Sequence, residues 1–509
     1  MTAAAFLILL IACVNFMNLS TARSTERSKE IGIRKSLGAF KKQIGVQFLG
    51  ESLLISFIAM VIAGVLAEVF LPLFNYVTDK NLDIQYFKQP LLTGILVGCT
   101  LFSGMVAGLY PSIFLSSLDP VVSLKGFSRI KPKGATIRKT LIVFQFVMSM
   151  ALLTGSLIVY NQLQFIQNKD LGFKSESVVV VPFKNYRLIR NFEAIRNELK
   201  KIPAVKSVSA ASNLPGKQFN QNSIYRPSDP LNSISASEAA VDYDFFEALD
   251  ITFQEGRGFS KDYPSDSLSF IINQTAVNNL HLEEPLGKEI VWDWDDGQPP
   301  MKGTIIGVVK DFNYNSLHQP IRPLLFYLSP RYNDVVIKLE TNDLNTTMAS
   351  VELVWRLFEE RFGFEYTILS SIILLQYNTE ELTGNVFSGF SLISITIACF
   401  GLFAIASISF SHRAKEVGIR KVMGASIIKI LGILTKDFIK LIALAIVIAT
   451  PLAWVIMNSW LEDFTYRIDI SFSNFLISAL VLIVIALFTI SYLTIKTAYS
   501  NPIDTLKEE

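Results

Sequence analysis

Seven stretches of the chain are apolar and long enough to cross a lipid bilayer, and they constrain its fold more than any other feature. A membrane-spanning helix needs about 20 consecutive, mostly apolar residues. Charged residues inside these stretches are few and lie near the ends, as Glu51 and Asp437 do. The sequence therefore predicts an α-helical membrane protein with about seven transmembrane helices, at approximately 2–20, 50–74, 91–115, 140–162, 385–411, 436–460 and 474–496.

The distribution of Lys and Arg between these stretches predicts the topology. Three connecting segments are rich in basic residues: the segment that follows the first stretch, 116–139 and 411–435. The segments 75–90 and 461–473 are not. Loops rich in Lys and Arg stay on the cytoplasmic side of a membrane. We therefore expect a multi-pass protein whose C-terminus is cytoplasmic and whose long segment 163–384 is extracytoplasmic.

The extracytoplasmic segment is polar and mixed in pattern. Short runs rich in β-branched residues predict strands, and apolar residues at helical spacing predict helices at 187–201 and 345–362. Alternation of the two predicts an inserted α/β or α+β domain. The flanking helices are expected to continue beyond the lipid as a stalk, at 161–170 and 371–383. The predicted strands are Val178–Val181, Ser269–Ile272, Thr304–Val309 and Val335–Leu339.

An internal repeat joins the two ends of the chain. Residues 29–39 read KEIGIRKSLGA and residues 415–425 read KEVGIRKVMGA, a spacing of 386 that also pairs Glu51 with Asp437. The second half then reads as one span, a large soluble domain and three spans, whereas the first shows three spans alone. We interpret the chain as a fragment, or a shortened gene model, of a protein with two such halves. The alternative is that the first half never had such a domain.

The repeated segments are predicted to form short helices at 27–37 and 413–423. Glu and Arg four residues apart form favourable pairs in each, and a Gly follows where a left-handed residue ends a helix. A purely topogenic role needs basic residues in no particular order, so the recurrence of Gly and Ile favours a docking surface for a protein partner. The candidate docking residues are Arg27, Lys29, Glu30, Gly32, Arg34, Lys35, Gly38, Arg413, Lys415, Glu416, Gly418, Arg420, Lys421 and Gly424.

Motifs of enzyme chemistry are absent from the sequence. It contains no Gly-x-Ser-x-Gly, no His-Glu-x-x-His and no Walker A phosphate loop. His281, His318 and His412 are far apart, and the three cysteines lie in apolar runs. The acidic run 293–296 lacks the spacing of a calcium loop, and a hairpin turn at Trp292 and Trp294 is the favoured interpretation. We expect no catalytic site, no cofactor and no metal site, and the net charge of +2 gives no sign of nucleic-acid binding.

The repeated KE(I/V)GIRK segment, the order of the spans and the outer domain together resemble the MacB/FtsX-type permeases of ABC transporters. In the outer domain the resemblance is carried by Asp242-Tyr243-Asp244-Phe245-Phe246, Glu255-Gly256-Arg257-Gly258-Phe259, Ile272-Asn273, Pro285-Leu286-Gly287-Lys288 and Ile306-Gly307-Val308-Val309-Lys310-Asp311-Phe312. It implies an FtsX-like three-helix domain at 1–125, a cytoplasmic linker at 126–139, a helix and stalk at 140–162, a periplasmic core-like domain at 163–384 and a second three-helix domain at 385–509.

What the resemblance implies is a permease of the bacterial inner membrane that a separate cytoplasmic ABC ATPase dimer drives. The repeated segments would be its coupling helices, and the output would be efflux of macrolide, peptide or lipoprotein-type cargo, or mechanotransmission. Membrane lipid and a periplasmic adaptor or outer-membrane component complete the expected partners. The competing hypothesis is a membrane-anchored extracytoplasmic sensor or scaffold that has no ATPase partner.

Overall fold

The computed structural model describes residues 2–24, 28–78, 81–86, 88–116, 135–294 and 299–499. The chain divides into two compact units. The membrane unit comprises Met1–Asn161, Glu380–Trp460 and Asp469–Glu509. The α/β unit comprises Gln162–Thr379 together with a short separate segment, Leu461–Ile468.

The described residues of the N-terminal part of the membrane unit form five helices. The short helix α2 lies between the first apolar helix and the second, and α5 runs without interruption through the predicted stalk as far as Asn168. The helices are α1 (Thr2–Ser24), α2 (Ser28–Ser36), α3 (Lys41–Thr78), α4 (Pro90–Ser116) and α5 (Ala135–Asn168).

The α/β unit contains eleven strands and six short helices in its described residues. Its strands are β1 (Val178–Pro182), β2 (Val205–Ala211), β3 (Asn220–Arg226), β4 (Asp229–Val241), β5 (Phe253–Gly256), β6 (Ser269–Asn273), β7 (Glu289–Asp293), β8 (Met301–Val309), β9 (Leu324–Leu328), β10 (Asp334–Leu339) and β11 (Thr367–Ile368). Its helices are α6 (Tyr186–Arg190), α7 (Phe192–Leu199), α8 (Phe245–Ala248), α9 (Gln274–Asn279), α10 (Leu344–Arg356) and α11 (Leu369–Leu375), besides a 3-10 turn at Pro264–Leu268.

The described C-terminal residues of the membrane unit form three long helices. They are α12 (Asn378–Val422), α13 (Ile427–Leu461) and α14 (Phe472–Tyr499). Six helices of the described chain are long and apolar enough to cross a membrane, namely α3, α4, α5, α12, α13 and α14. The seventh predicted span, α1, has a shorter apolar part at Ala5–Ser20. The predicted fold class is confirmed.

The membrane helices pack through both large and small side chains. Phe146 and Met150 of α5 are buried in one cluster with Phe410 of α12 and Phe438 of α13. Between α3 and α4 the contact depends on glycine, because a Cβ at Gly108 would lie 2.7 Å from the Cβ of Ser52. Small residues at helix contacts let backbones approach closely in lipid, where no hydrophobic effect drives helices together.

The strands of the α/β unit follow the order β11-β1-β10-β2-β4-β3-β7-β8-β6-β9, and β9 also pairs with β4. The six strands β4, β3, β7, β8, β6 and β9 therefore close into a ring. They pack on an apolar core that includes Phe270, Ile305 and Leu325. The strands β2, β10 and β1 carry a second apolar core, which α7 and α10 cover through Ile195 and Val351. The short strand β5 pairs with β8.

The four predicted strands are confirmed as β1, β6, β8 and β10. The helix predicted at 187–201 is instead two helices, because Asn191 leaves the helical conformation at φ −93° and ψ 8°. The helix predicted at 345–362 ends at Arg356. The stalk predicted at 371–383 is also divided, between α11 and α12. β7 and β8 pair around the predicted Trp hairpin, whose tip at 295–298 lies outside the described residues.

Candidate coupling site

The first repeated segment is a separate helix, α2, that ends in a Schellman motif. The Ala39 amide donates to the Arg34 carbonyl at 3.0 Å, and the Gly38 amide donates to the Lys35 carbonyl at 3.1 Å. These two bonds require a left-handed residue at position 38, and Gly38 has φ +99°. The chain then turns directly into α3, so α2 is fixed to a membrane helix by a short turn with little freedom.

One face of α2 is anchored on the neighbouring helices. Ile31 is only 2% exposed and packs in a small cluster with Ile44 of α3. The Lys35 Nζ donates to the Ser116 carbonyl at 2.7 Å. This carbonyl lies at the C-terminal end of α4, where cations are favoured by the helix dipole. Arg34 pairs with Glu30 at 2.6 Å and donates to Gln47 of α3 at 2.9 Å, so the predicted Glu30–Arg34 pair is present.

The second repeated segment is not a separate short helix, and that prediction is wrong. It forms the last turns of the 45-residue helix α12, which continues through the segment without a break. The end of the segment nevertheless repeats the first. The Ala425 amide donates to the Arg420 carbonyl at 2.9 Å, and Gly424 has φ +85°. The same turn therefore leads into α3 in one half and into α13 in the other.

Both segments expose an apolar pair at equivalent positions. Ile33 is 50% exposed and Leu37 is 82% exposed, while Ile419 is 53% exposed and Met423 is 80% exposed. Two residues four apart lie on the same face of a helix. The sequence comparison noted the two isoleucines but missed Leu37 and Met423, although their spacing of 386 was the available signal.

The predicted docking residues are described to different extents. Arg27 lies outside the described residues. Only the helical backbone is described for Lys29, Arg413, Lys415, Glu416, Gly418 and Lys421. The structure brings Glu30 and Arg34 together on α2, and Lys35 of the same helix contacts α4 instead. Gly32 is buried on α2, unlike the neighbouring Ile33, which is exposed.

The motifs of the α/β unit that carry the family resemblance hold its framework together. Asp242 forms a buried ion pair with Arg196 of α7 and accepts from Ser209. Arg257 reaches Asp266 through two hydrogen bonds of 2.6 and 2.8 Å. Burial acts to raise the pKa of Asp266, but the hydrogen bonds from Arg257 and the Ser260 amide outweigh it and hold that pKa below its usual range.

A polar groove of about 740 Å³ opens on the α/β unit. Its eleven lining residues include Arg322 and Lys217 but no carboxylate. Lys217 pairs at 2.6 Å with the buried Asp334, whose pKa is raised by burial. The groove offers hydrogen bonds to a polar ligand.

These features define a multi-pass membrane protein with an inserted α/β domain and a duplicated element at the helix ends. Residues 2–120 and 388–502 match the family model of the FtsX-like permease C-terminal domain. Residues 142–353 match that of the MacB-like periplasmic core domain. The two models together account for both units. The chain belongs to the MacB/FtsX-type permeases, the MacB-like family of ABC transporter permeases.

Individual proteins resemble parts of the chain. A macrolide export ATP-binding/permease protein MacB of Syntrophobacter fumaroxidans is 33% identical over 24% of this chain and 17% of its own length. The protein of the same name from Neisseria gonorrhoeae is 28% identical over 43% of this chain and 34% of its own. The periplasmic region of MacB from Actinobacillus actinomycetemcomitans is 13% identical, with a TM-score of 0.30, over 42% of this chain and 98% of that structure. The chain thus spans at most about a third of the first two relatives' length.

Proposed function

We propose that this chain is a permease subunit that converts ATP hydrolysis on a separate ATPase into movement of its extracytoplasmic domain, for efflux or mechanotransmission. The observation that carries the proposal is the duplicated end of the repeated segments. Each segment presents an exposed apolar pair beside an arginine, and each passes through a glycine turn into a membrane helix. An ATPase dimer has two equivalent surfaces, so two equivalent elements on one chain match its symmetry.

The exposed apolar pairs supply the docking energy in this proposal. An exposed Leu or Met that becomes buried at an interface contributes on the order of 1.5–3 kcal/mol. Arg34 and Arg420 lie three residues from Leu37 and Met423 and supply charge that orients the partner. Because short glycine turns join the segments to α3 and α13, a partner that moves the segments moves those helices as well.

The orientation that the proposal requires puts both segments, and the C-terminus, on the cytoplasmic side. The basic residues around the segments support that side. The α/β domain then lies outside, where it can act on cargo or on a periplasmic partner. The names of the relatives point to macrolide export, and we propose cargo of the macrolide, peptide or lipoprotein type.

The test is retention of an ABC ATPase subunit on the affinity-tagged chain in detergent, compared between variants. We expect the double variant Leu37→Asp/Met423→Asp to retain at least tenfold less ATPase than the wild type, since a loss of 1.4 kcal/mol is already tenfold. Arg420→Glu should lower retention in the same direction. Leu231→Asp is the matched control, because Leu231 is 95% exposed on the α/β unit.

Equal retention by the wild type and the double variant, with both proteins in the membrane, would contradict the docking role. A tagged wild-type chain that retains no protein with a Walker A motif would favour a sensor or scaffold without a motor.

A further inference from the structure

The segment between α13 and α14 is part of the α/β unit, although both of its flanking helices belong to the membrane unit. We call Leu461–Ile468 the tether loop. Its first residue is the last residue of α13, and its last residue precedes α14 by only three residues, 469–471. Hydrogen bonds and ring contacts on two sides attach it to the α/β unit.

The first attachment is the side chain of Gln162, near the end of α5. Gln162 is fully buried. Its Nε2 donates to the Tyr466 carbonyl at 3.0 Å, and its Oε1 accepts from the Ile468 amide at 3.0 Å. A carboxamide is the side chain that can donate and accept at once without a charge. One glutamine therefore fixes the loop backbone at two points.

The second attachment is the segment that contains Leu317 and His318. The Tyr466 amide donates to the Leu317 carbonyl at 3.2 Å, and the Thr465 hydroxyl donates to the His318 carbonyl at 2.9 Å. The imidazole of His318 stacks on Phe464 with ring centroids 4.1 Å apart. Phe464 is only 3% exposed, so the loop is packed into the domain and not laid over it.

The receiving segment is itself held in place. The Leu317 amide donates to the Tyr377 hydroxyl at 2.7 Å, and the Ser316 hydroxyl bonds the Nδ1 of His318 at 2.7 Å. Tyr377 is the residue immediately before α12. On the other side of the loop, the ammonium of Lys169 lies 4.5 Å from the centre of the Tyr466 ring.

The length of α13 makes this attachment mechanically important. α13 has 35 residues, with Pro451 inside it, and its contour length is about 52 Å at 1.5 Å per residue. It begins at Ile427, two residues after the Ala425 that closes the second repeated segment, and it ends inside the tether loop at Leu461. No connecting residue separates α13 from the tether loop. On the side of α14, the three connecting residues can span at most about 10 Å when fully extended.

We propose that the tether loop is a second coupling point, in addition to the helical stalk, through which displacement of α13 reaches the α/β domain. Gln162 is the positioning residue of this point. The source of the displacement rests on the proposed function, whereas the attachment of the loop does not. Movement at the second repeated segment would then travel along α12 and, by a separate route, along α13.

The attachment is tested first, on the full chain in lipid nanodiscs without any ATPase. Gln162→Leu keeps the side-chain size and removes both hydrogen bonds to the loop. We expect roughly thirtyfold faster hydrogen exchange at the Ile468 amide, because two hydrogen bonds worth about 1 kcal/mol each are lost. Gln164→Leu, an exposed position on the same helix, is the matched control and should leave the exchange unchanged.

Unchanged exchange at Ile468 in Gln162→Leu would overturn the attachment. Phe464→Leu provides a second variant should Gln162→Leu not fold, since it removes the ring stack on His318 while a large apolar side chain remains. Phe464→Leu should also speed hydrogen exchange at the Tyr466 and Ile468 amides several-fold. Exchange as slow as in the wild type would contradict the attachment of the tether loop.

The coupling is tested second, with the ATPase bound. We expect ATP to change hydrogen exchange around Leu317, His318 and Tyr377 in the wild type and in Gln164→Leu. In Gln162→Leu that change should fall by at least half, while ATPase retention and ATP hydrolysis stay at wild-type levels. The same ATP-dependent change in Gln162→Leu would refute the second coupling point alone. No ATP-dependent change in the wild type would instead refute the proposed function, and the coupling with it, while the attachment would stand.

Discussion

The glycines that end the repeated segments adopt a backbone conformation that few other residues tolerate. Gly38 and Gly424 have φ values of +99° and +85°. A Cβ added at either position would meet no atom within 4 Å, so steric crowding is not the reason for glycine there. The reason is the cost of the left-handed conformation, about 1–2 kcal/mol for an L-residue with a side chain.

We therefore predict that Gly38→Ala and Gly424→Ala loosen the two turns without disturbing their surroundings. Hydrogen exchange at the Ala39 and Ala425 amides, which close the turns, should become roughly five- to tenfold faster, as about 1 kcal/mol predicts. Mass spectrometry of the protein in nanodiscs measures this exchange.

Gly50→Ala and Gly432→Ala are the matched controls. These glycines lie inside α3 and α13, also with nothing within 4 Å of an added Cβ. Alanine there should be neutral or slightly stabilising, because it favours helix over glycine. The explanation fails if all four substitutions have the same effect on the turns.

Elements that form by local pattern were predictable from the sequence, and elements that depend on distant partners were not. Apolar length predicted the spanning helices, and runs of β-branched residues predicted β1 and β10. β3 has a polar sequence, NQNSIYR, and becomes a strand because β4 and β7 pair with both of its edges. The sequence did not predict that α12 continues through Lys415 and Arg420. A helical run of basic residues is equally compatible with a separate surface helix and with the end of a longer membrane helix.

The candidate site divides along the same line. The repeat and its glycine turns were readable, since they need only a comparison of the sequence with itself. Nothing in the sequence indicated that Gln162, His318 and Tyr466 interact. Their hydrogen bonds join segments about 150 residues or more apart along the chain. Such contacts are set by the tertiary fold and leave no periodic pattern.

Close packing of α3 against α4 gives a prediction at the scale of the element. A Cβ at Gly108 would lie 2.7 Å from the Cβ of Ser52, so Gly108→Ala must push the helices apart or distort one of them. We expect a loss of about 1–3 kcal/mol, which is typical of an overpacked contact. At Gly98 on the same helix, an added Cβ would meet no atom within 4 Å, so Gly98→Ala should cause no loss of stability through crowding. Thermal unfolding of the two variants in one detergent compares them, and equal midpoints would contradict the packing.

At the scale of the whole molecule, the proposed function requires that the repeated segments and the α/β domain lie on opposite sides of the membrane. Ser36, at the end of α2, and Ser228, in the turn between β3 and β4, are both exposed. Single cysteines at these positions can report their sides once Cys13, Cys99 and Cys399 have been replaced. We expect a membrane-impermeant maleimide to modify Ser228→Cys in spheroplasts and to modify Ser36→Cys only after the membrane is opened.

This labelling pattern separates the proposed mechanism from its alternatives, because a cytosolic motor can act only on segments that it can reach. Basic residues flank both repeated segments, and moving them across the bilayer would oppose the charge bias that sets orientation. Modification of Ser36→Cys from outside would place the glycine turns beyond any ATPase, and the docking surface and the α13 route would fail together. Protection of both cysteines would instead place the α/β domain inside, where it could reach neither exported cargo nor a periplasmic partner.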